Sequence, residues 1–402
     1  MGDKSDGQVR RRRVFYIPGY DPFHPRRYRE LYRKEGATQA GVSGYDLRLR
    51  PKQTKGPYGW RIDATMGEAR VQSEIEVLVW SDLVRSSMGT SILATYLQLL
   101  RTAWAYIGSG ALFRLMRLRK GPMIAALYPI GMLLAQLAVA LAVAWAAGKL
   151  AGHWLPGAAW LALGLVPVIL RWFRSQDRRL YAYYLMHDYA YSAQSGGANP
   201  PELEARMTEF GQALATALAG GQDEVLVVGH SSGAHIAVSV LSDLIRAGKA
   251  APDGPALGFL SLGQVVPMVS FLPKAGRLRA DLAYLSTRTE LTWVDVTAPG
   301  DGCAFALCDP VSVTGVAPPG KIWPLVISAA FTQSLSPQRW KELRWKFFRL
   351  HFQYLCAFDR PRDYDYFQIT AGPISLAKRF SGRAASKSRI ETAVNHHRSM
   401  AA

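Results

Sequence analysis

The sequence predicts an α/β protein: a mostly parallel sheet with helices on both faces, plus an inserted membrane helical hairpin. Three observations carry this. Short aliphatic runs alternate with helix-length segments, the pattern of parallel strands joined by crossover helices. The run Val225 to Val228 leads through Gly229-His230-Ser231-Ser232-Gly233 into a helical pattern, Ala234 to Ile245. In mid-chain, 28 residues between Lys120 and Lys149 and 21 between Lys149 and Arg171 contain no Asp, Glu, Lys or Arg. Spanning a bilayer takes about 20 apolar residues, so each run is long enough.

The elements follow in order. Residues 1–13 are polar and basic and read as a flexible arm. The N-terminal part of the main domain, 14–113, opens with a short strand, Val14 to Ile17, stopped by Pro18-Gly19. A polar helix (about Pro25 to Glu35) and strands at Tyr45 to Arg50, Trp60 to Ala64 and Ile75 to Trp80 come next. Ile92 to Phe113 is apolar but broken by Arg101, which suits a membrane-surface or core helix better than a span. After the insertion, 180–374 holds a helix (Glu202 to Ala219), the Ser231 turn, a strand (Leu257 to Leu262), a helix (Arg277 to Leu285) and a strand (Leu291 to Val296). Ile322 to Leu335 reads as a core helix, with a lid as the alternative, and 375–402 as a basic disordered tail.

The insertion, 114–179, is read as a hairpin turning at Gly148 to Gly157, with the second arm weakened by Pro167. Arg114, Arg117, Arg119 and Lys120 precede it, and Arg171, Arg174, Arg178 and Arg179 follow. Basic clusters at both outer ends put both ends, both termini and the main domain in the cytoplasm; in a bacterium this is the inner membrane. Trp154, Trp160 and Trp172 stand where interfacial aromatics stand.

The 402 residues, 49% hydrophobic, allow one large domain with an insertion. The net charge of +18 calls for an anionic partner. Because basic residues bracket the apolar runs and no nucleic-acid motif accompanies them, membrane lipid is expected and nucleic acid is not. Three cysteines, Cys303, Cys308 and Cys356, without C-x-x-C spacing, fit neither a disulfide framework nor a zinc site. The apolar run after Arg10 to Arg13 is too short for a signal peptide, and Asp6 spoils a myristoylation motif at Gly2. His187-Asp188 has no partner cluster at metal spacing, so a structural role is expected; no P-loop or dinucleotide fingerprint is present. Neither metal nor cofactor is expected.

The chemistry is concentrated at Gly229-x-Ser231-x-Gly233. A sharp strand-to-helix turn needs residues without Cβ on either side of the serine, and it lifts the serine hydroxyl above the sheet edge. The helix N-terminus behind it offers N–H groups to a developing oxyanion. In these residues the chain resembles the α/β-hydrolase superfamily of lipase- and esterase-like serine hydrolases. The resemblance extends to the N-terminal segment and two later strand ends, about two-thirds of the chain, and singles out no one family.

The resemblance implies a Ser, then acid, then His order. Four histidines follow Ser231. His235 lies on the turn's own helix and points away, and His396 and His397 lie in the tail, leaving His351 as base. Asp301, in the Gly-flanked loop after Leu291 to Val296, resembles the family's acid loop; Asp295, inside the strand, is the alternative acid, and Asp309 ranks below both. The oxyanion donors implied are the N–H groups of Ser232 and of Tyr20, the latter from Tyr16-Ile-Pro-Gly-Tyr20, where Pro18 replaces the usual His. The function expected is cleavage of a carboxylic ester or thioester, of an acyl lipid in particular, by a membrane-anchored enzyme. An acyltransferase with the same triad and a non-catalytic membrane scaffold are the alternatives.

Overall fold

A computed structural model describes residues 7–89, 91–154, 158–251 and 253–401. Eight strands, β1 (Arg11–Ile17), β2 (Asp46–Pro51), β3 (Gly59–Met66), β4 (Ala69–Val77), β5 (Glu224–His230), β6 (Ala256–Leu262), β7 (Leu291–Thr297) and β8 (Leu325–Ser328), form one sheet. Its order is β2-β3-β4-β1-β5-β6-β7-β8. From β4 to β8 all pairings are parallel; β2 and β3 add an antiparallel margin.

Side chains on the central strands alternate between two cores, as the strand period of two requires. Val14, Tyr16, Leu226 and Val228 pack under Tyr28 and Tyr32 of the helix Arg26–Ser43 and under the C-terminal helices. Phe15, Ile17, Val225 and Val227 pack against the helices Pro201–Leu218, Gly233–Arg246 and Gly276–Leu285. All of β5 is buried, which explains its unbroken aliphatic run.

The expected arm is in part a strand. Arg12 is buried in β1, its Nε 2.5 Å from Glu224 Oε2, and its guanidinium also donates to the carbonyls of Gly372 and Ile374. Residues 1–6 lie outside the described residues. Nor are residues 375–401 a loose tail. Leu376, Phe380 and Asn395 are buried, Ser386 N–H bonds Val326 O at the β8 margin, and Asn395 Nδ2 bonds Ser270 O. These contacts are long-range, so a local basic composition gave no sign of them. The helix expected over Ile322 to Leu335 is instead β8 followed by one turn, Phe331–Ser334. Pro324 forbids a continuous helix, and β-branched Val326 and Ile327 suit a strand.

The insertion holds one helix long enough to cross a bilayer, Lys120–Gly152. The chain returns along it in two pieces, Ala158–Ala162 and Leu165–Ser175, each too short to span alone. Residues 155–157, in the expected turn, lie outside the described residues. On the long helix Ala140, Ala144 and Gly148 are buried, small residues that let helices approach closely. Arg114 and Arg119 donate to the carbonyls of Val394 and Ala306, so half of the leading basic cluster is engaged with the body. The helix Ile92–Gly108 buries Thr95, Leu99, Thr102 and Tyr106 and exposes Leu93, Leu97, Leu100, Trp104 and Ile107.

Candidate active site

The site gathers at the carboxyl ends of β1, β5, β6 and β7, where loops of a parallel sheet converge. Ser231 follows β5 directly. Its φ is 57°, a left-handed conformation that a residue with a side chain adopts only under constraint. The constraint is visible. Ser231 N–H bonds Leu262 O at 2.9 Å, and the flanking glycines have no room: a Cβ at Gly233 would lie 2.1 Å from Ile17 O, and one at Gly229 would lie 2.8 Å from Ala234 Cα.

His351 ends the short helix Phe347–His351. Its Nδ1 is 2.8 Å from Asp301 Oδ2. Asp301 lies in the loop after β7 and is fully enclosed. Cys303 N–H donates to its Oδ1 at 2.9 Å, and Tyr354 OH donates to its Oδ2 at 3.0 Å. Burial alone raises this carboxyl's pKa, but the His351 charge and these hydrogen bonds outweigh it and hold the group below the ordinary carboxylate range. Asp301 therefore stays ionised and aimed at His351.

His230 completes the setting of His351. The two rings stand 4.8 Å apart, and His230 Nε2 is 3.0 Å from His351 O. Burial, then the nearby His351 charge, depresses His230 to about 3, so the neutral ring donates its Nε2–H to that carbonyl. Gly263, next to the Leu262 that binds Ser231, lies under the imidazole: a Cβ there would be 3.1 Å from His351 Cε1. Ser231 and His351 thus share one corner. Among the described residues no hydrogen bond joins Ser231 Oγ to the ring, and such bonds commonly tighten only with substrate present.

The Pro18–Tyr20 loop crosses Ser231. A Cβ on Gly19 would lie 2.9 Å from Ser231 Cβ, Pro18 O accepts from Trp80 Nε1 at 2.9 Å, and Tyr20 O accepts from Tyr184 OH. Pro18 thus contributes its carbonyl to the fixing of the loop. The N–H groups of Tyr20 and Ser232 find no acceptor among the described residues.

The remaining sequence candidates separate. Asp295, the alternative acid, is buried within β7, where Oδ1 accepts from Ser261 Oγ at 2.6 Å; burial pushes it up to about 8, and it orients no histidine. Asp309 caps the turn Pro310–Thr314 and pairs with Lys321. His235 is buried with its Nδ1 unpartnered, and His397 Nε2 lies 3.2 Å from Ser109 O. His187 Nδ1 meets Gln98 Oε1 at 2.7 Å, and Asp188 beside it is half-buried.

Asp301, Cys303 and His351 offer ligand atoms within 4.8 Å of one another, the one such cluster among the described residues. Without a cation, burial first, then the Asp301 and Asp188 charges, drive the Cys303 thiol well above its ordinary value.

Sequence reasoning assigned no role to His230 or Tyr354, which the structure sets against His351 and Asp301. Comparisons with family models, with curated proteins and with solved structures find no match to this chain.

Proposed function

We propose that the protein is a membrane-anchored serine hydrolase of the α/β-hydrolase type that cleaves a carboxylic ester or thioester of an acyl lipid. The observation that carries the reading is Ser231, held at φ 57° on a strand-to-helix turn, beside a His351 whose Nδ1 is tied to Asp301. In this mechanism Ser231 Oγ attacks the acyl carbonyl carbon. Its proton passes to His351 Nε2, the nitrogen that Asp301 leaves available. The carbonyl oxygen becomes an oxyanion, received by the N–H groups of Ser232 and Tyr20. The tetrahedral intermediate collapses, the leaving alkoxide or thiolate takes the proton from His351, and water repeats the sequence on the acyl-enzyme.

The membrane part of the reading is supported by what is exposed. The long helix has a mean hydropathy of 2.1 over its most apolar window, of which only 22% is buried, unlike a core helix. The helix Ile92–Gly108 turns Leu93, Leu97, Leu100, Trp104 and Ile107 outward and its threonines inward, the reverse of a helix facing water. Tyr96 OH bonds Leu133 O at 2.8 Å, joining the two helices into one apolar surface. An apolar cavity of about 30 Å³ lies between them, lined by Tyr106, Met123, Met186 and Tyr189.

The test is labelling by a fluorophosphonate, which reacts only with an activated serine, together with hydrolysis of p-nitrophenyl acyl esters. Ser231→Ala is expected to abolish both while leaving the fold intact. Residual turnover above about 1% of wild type rules out Ser231 as nucleophile.

A further inference from the structure

The turn between the helices Pro337–Leu343 and Phe347–His351 is held at both ends and bare between them. Leu343 and Leu350 are buried in the core, whereas Trp345 is 72% and Phe347 49% exposed. Neighbouring rings use the glycines on either side of Asp301. A Cβ at Gly300 would lie 2.6 Å from Trp340 Cη2, and one at Gly302 would lie 3.2 Å from Phe347 Cδ1. The turn is therefore seated on the Asp301 loop, one helical turn before His351.

The long helix meets the same loop. A Cβ at Gly121, in its first turn, would lie 3.2 Å from Gly302 Cα, and Arg119 Nε donates to Ala306 O at 2.7 Å. The returning chain meets the turn as well. The Tyr181 ring lies 4.8 Å from that of Phe348, and Tyr128 OH of the long helix donates to Leu180 O at 2.7 Å. With 33 residues the long helix is about 50 Å long, against a hydrocarbon core of about 30 Å. On the anchored reading the body stays out of the hydrocarbon. The stretch that packs on it, Gly121 to Tyr128, then stands at head-group depth, and the Trp345–Phe347 turn stands beside it.

Charge names the occupant of this bare surface. Lys341, Arg344, Lys346 and Arg349 are exposed, and none of the four is in an ion pair among the described residues; Arg339, by contrast, meets Glu35 and Asp359. Glu342 is the one acidic residue from Pro337 to Leu355. Exposed cations interleaved with exposed rings suit a surface that carries phosphates, with acyl chains just below them. We propose that the Trp345–Phe347 turn is a second membrane contact: the two rings enter the head-group layer of an anionic bilayer, and the four cations meet its phosphates. The proposal deepens the membrane-anchored reading and rests on it for the depth of the turn. It brings the Asp301 loop and His351 up to the lipid surface.

The experiment places the full chain in nanodiscs of phosphatidylcholine, with or without phosphatidylglycerol. An environment-sensitive maleimide on Trp345→Cys takes the place of the indole, with wild type, which keeps Cys303, Cys308 and Cys356, as background. With phosphatidylglycerol present the label's emission is expected to move to the blue and its quenching by acrylamide to fall several-fold. High salt should reverse both. Adding Lys341→Gln, Arg344→Gln, Lys346→Gln and Arg349→Gln should abolish the change without lowering the melting temperature. Should that chain melt lower, the first two and the last two changes, made separately, carry the same test. A label equally open to acrylamide on both lipids overturns the proposal. So does equal shielding on both, which leaves the cations no part, and so does a charge-reduced chain shielded like its parent. A chain that stays soluble and enters neither nanodisc ends the anchored reading instead. Vesicles of the same two compositions, added to that chain, then decide the docking of the turn by the same criterion.

Discussion

Gly19 and Ser231 come from opposite halves of the chain, yet a single methyl on the glycine would lie 2.9 Å from the serine Cβ and 3.3 Å from its Oγ. The loop after β1 is therefore one wall of the seat of Ser231. Gly19→Ala is expected to displace Ser231 or the loop. Displacements of about 1 Å near reacting atoms cost about 100-fold in rate. Fluorophosphonate inactivation should slow by about that factor with little change in melting temperature; an unaltered rate would mean that the loop stands clear of the serine.

Asp301→Asn is expected to leave the fold in place and to lower kcat by about 10⁴, through loss of the His351 tautomer that a carboxylate enforces. Tyr354→Phe removes one donor from the same carboxylate and should cost far less. Steady-state kinetics on a p-nitrophenyl ester distinguishes them. If Asp301→Asn is as mild as Tyr354→Phe, His351 is oriented by something else.

Asp295 predicts a pH signature of stability. Its folded pKa is raised to about 8, against about 4 for an unfolded carboxyl. Between those values the folded state binds the extra proton, so the group's contribution falls as pH rises through that window. Asparagine can still accept from Ser261 Oγ. Asp295→Asn should therefore match wild type near pH 4 and melt higher near pH 8. Parallel melting curves across the window would mean that Asp295 ionises without penalty.

Membrane insertion can be tested at the far end of the long helix and beyond the returning segment. The full chain is expected to resist alkaline extraction from membranes and to need detergent. A cysteine at Gly152 should react with an impermeant maleimide from outside intact cells, and one at Ser195 should not. Recovery of the chain in the soluble fraction overturns the anchored reading; the opposite labelling pattern inverts the topology.

Arg12→Leu strands Glu224 in a buried place, where among the described residues its one remaining hydrogen bond is from the Leu376 N–H at 2.7 Å. Breaking such a pair costs about 3–5 kcal/mol. Chemical denaturation should register that loss, and the double change Arg12→Leu with Glu224→Leu should recover part of it.

The main strands and the serine turn were legible because their signals are local: aliphatic runs set against glycines at fixed spacing. Asp301 and His351 were legible only through the chain order that the resemblance implied, and the structure brings them to 2.8 Å. What stayed hidden depends on contacts distant in sequence. Val326 and Ile327 lay within an apolar run that reads equally as helix, and only pairing with β7 makes it a strand. Ser386 and Asn395 looked like a loose tail because their polar side chains and backbone find partners more than fifty residues away.

The pinning of Arg12 by Glu224, Gly372 and Ile374 also bears on how the protein is made. β1 is a central strand whose inner neighbour, β5, emerges from the ribosome more than two hundred residues after it, and its last partners arrive near residue 374. At about 5–20 residues per second, the first strand waits many seconds for them. By then residues 120–175 have long been available to lipid. On the proposed reading the catalytic body therefore assembles as an already tethered chain, folding beside the bilayer it goes on to serve.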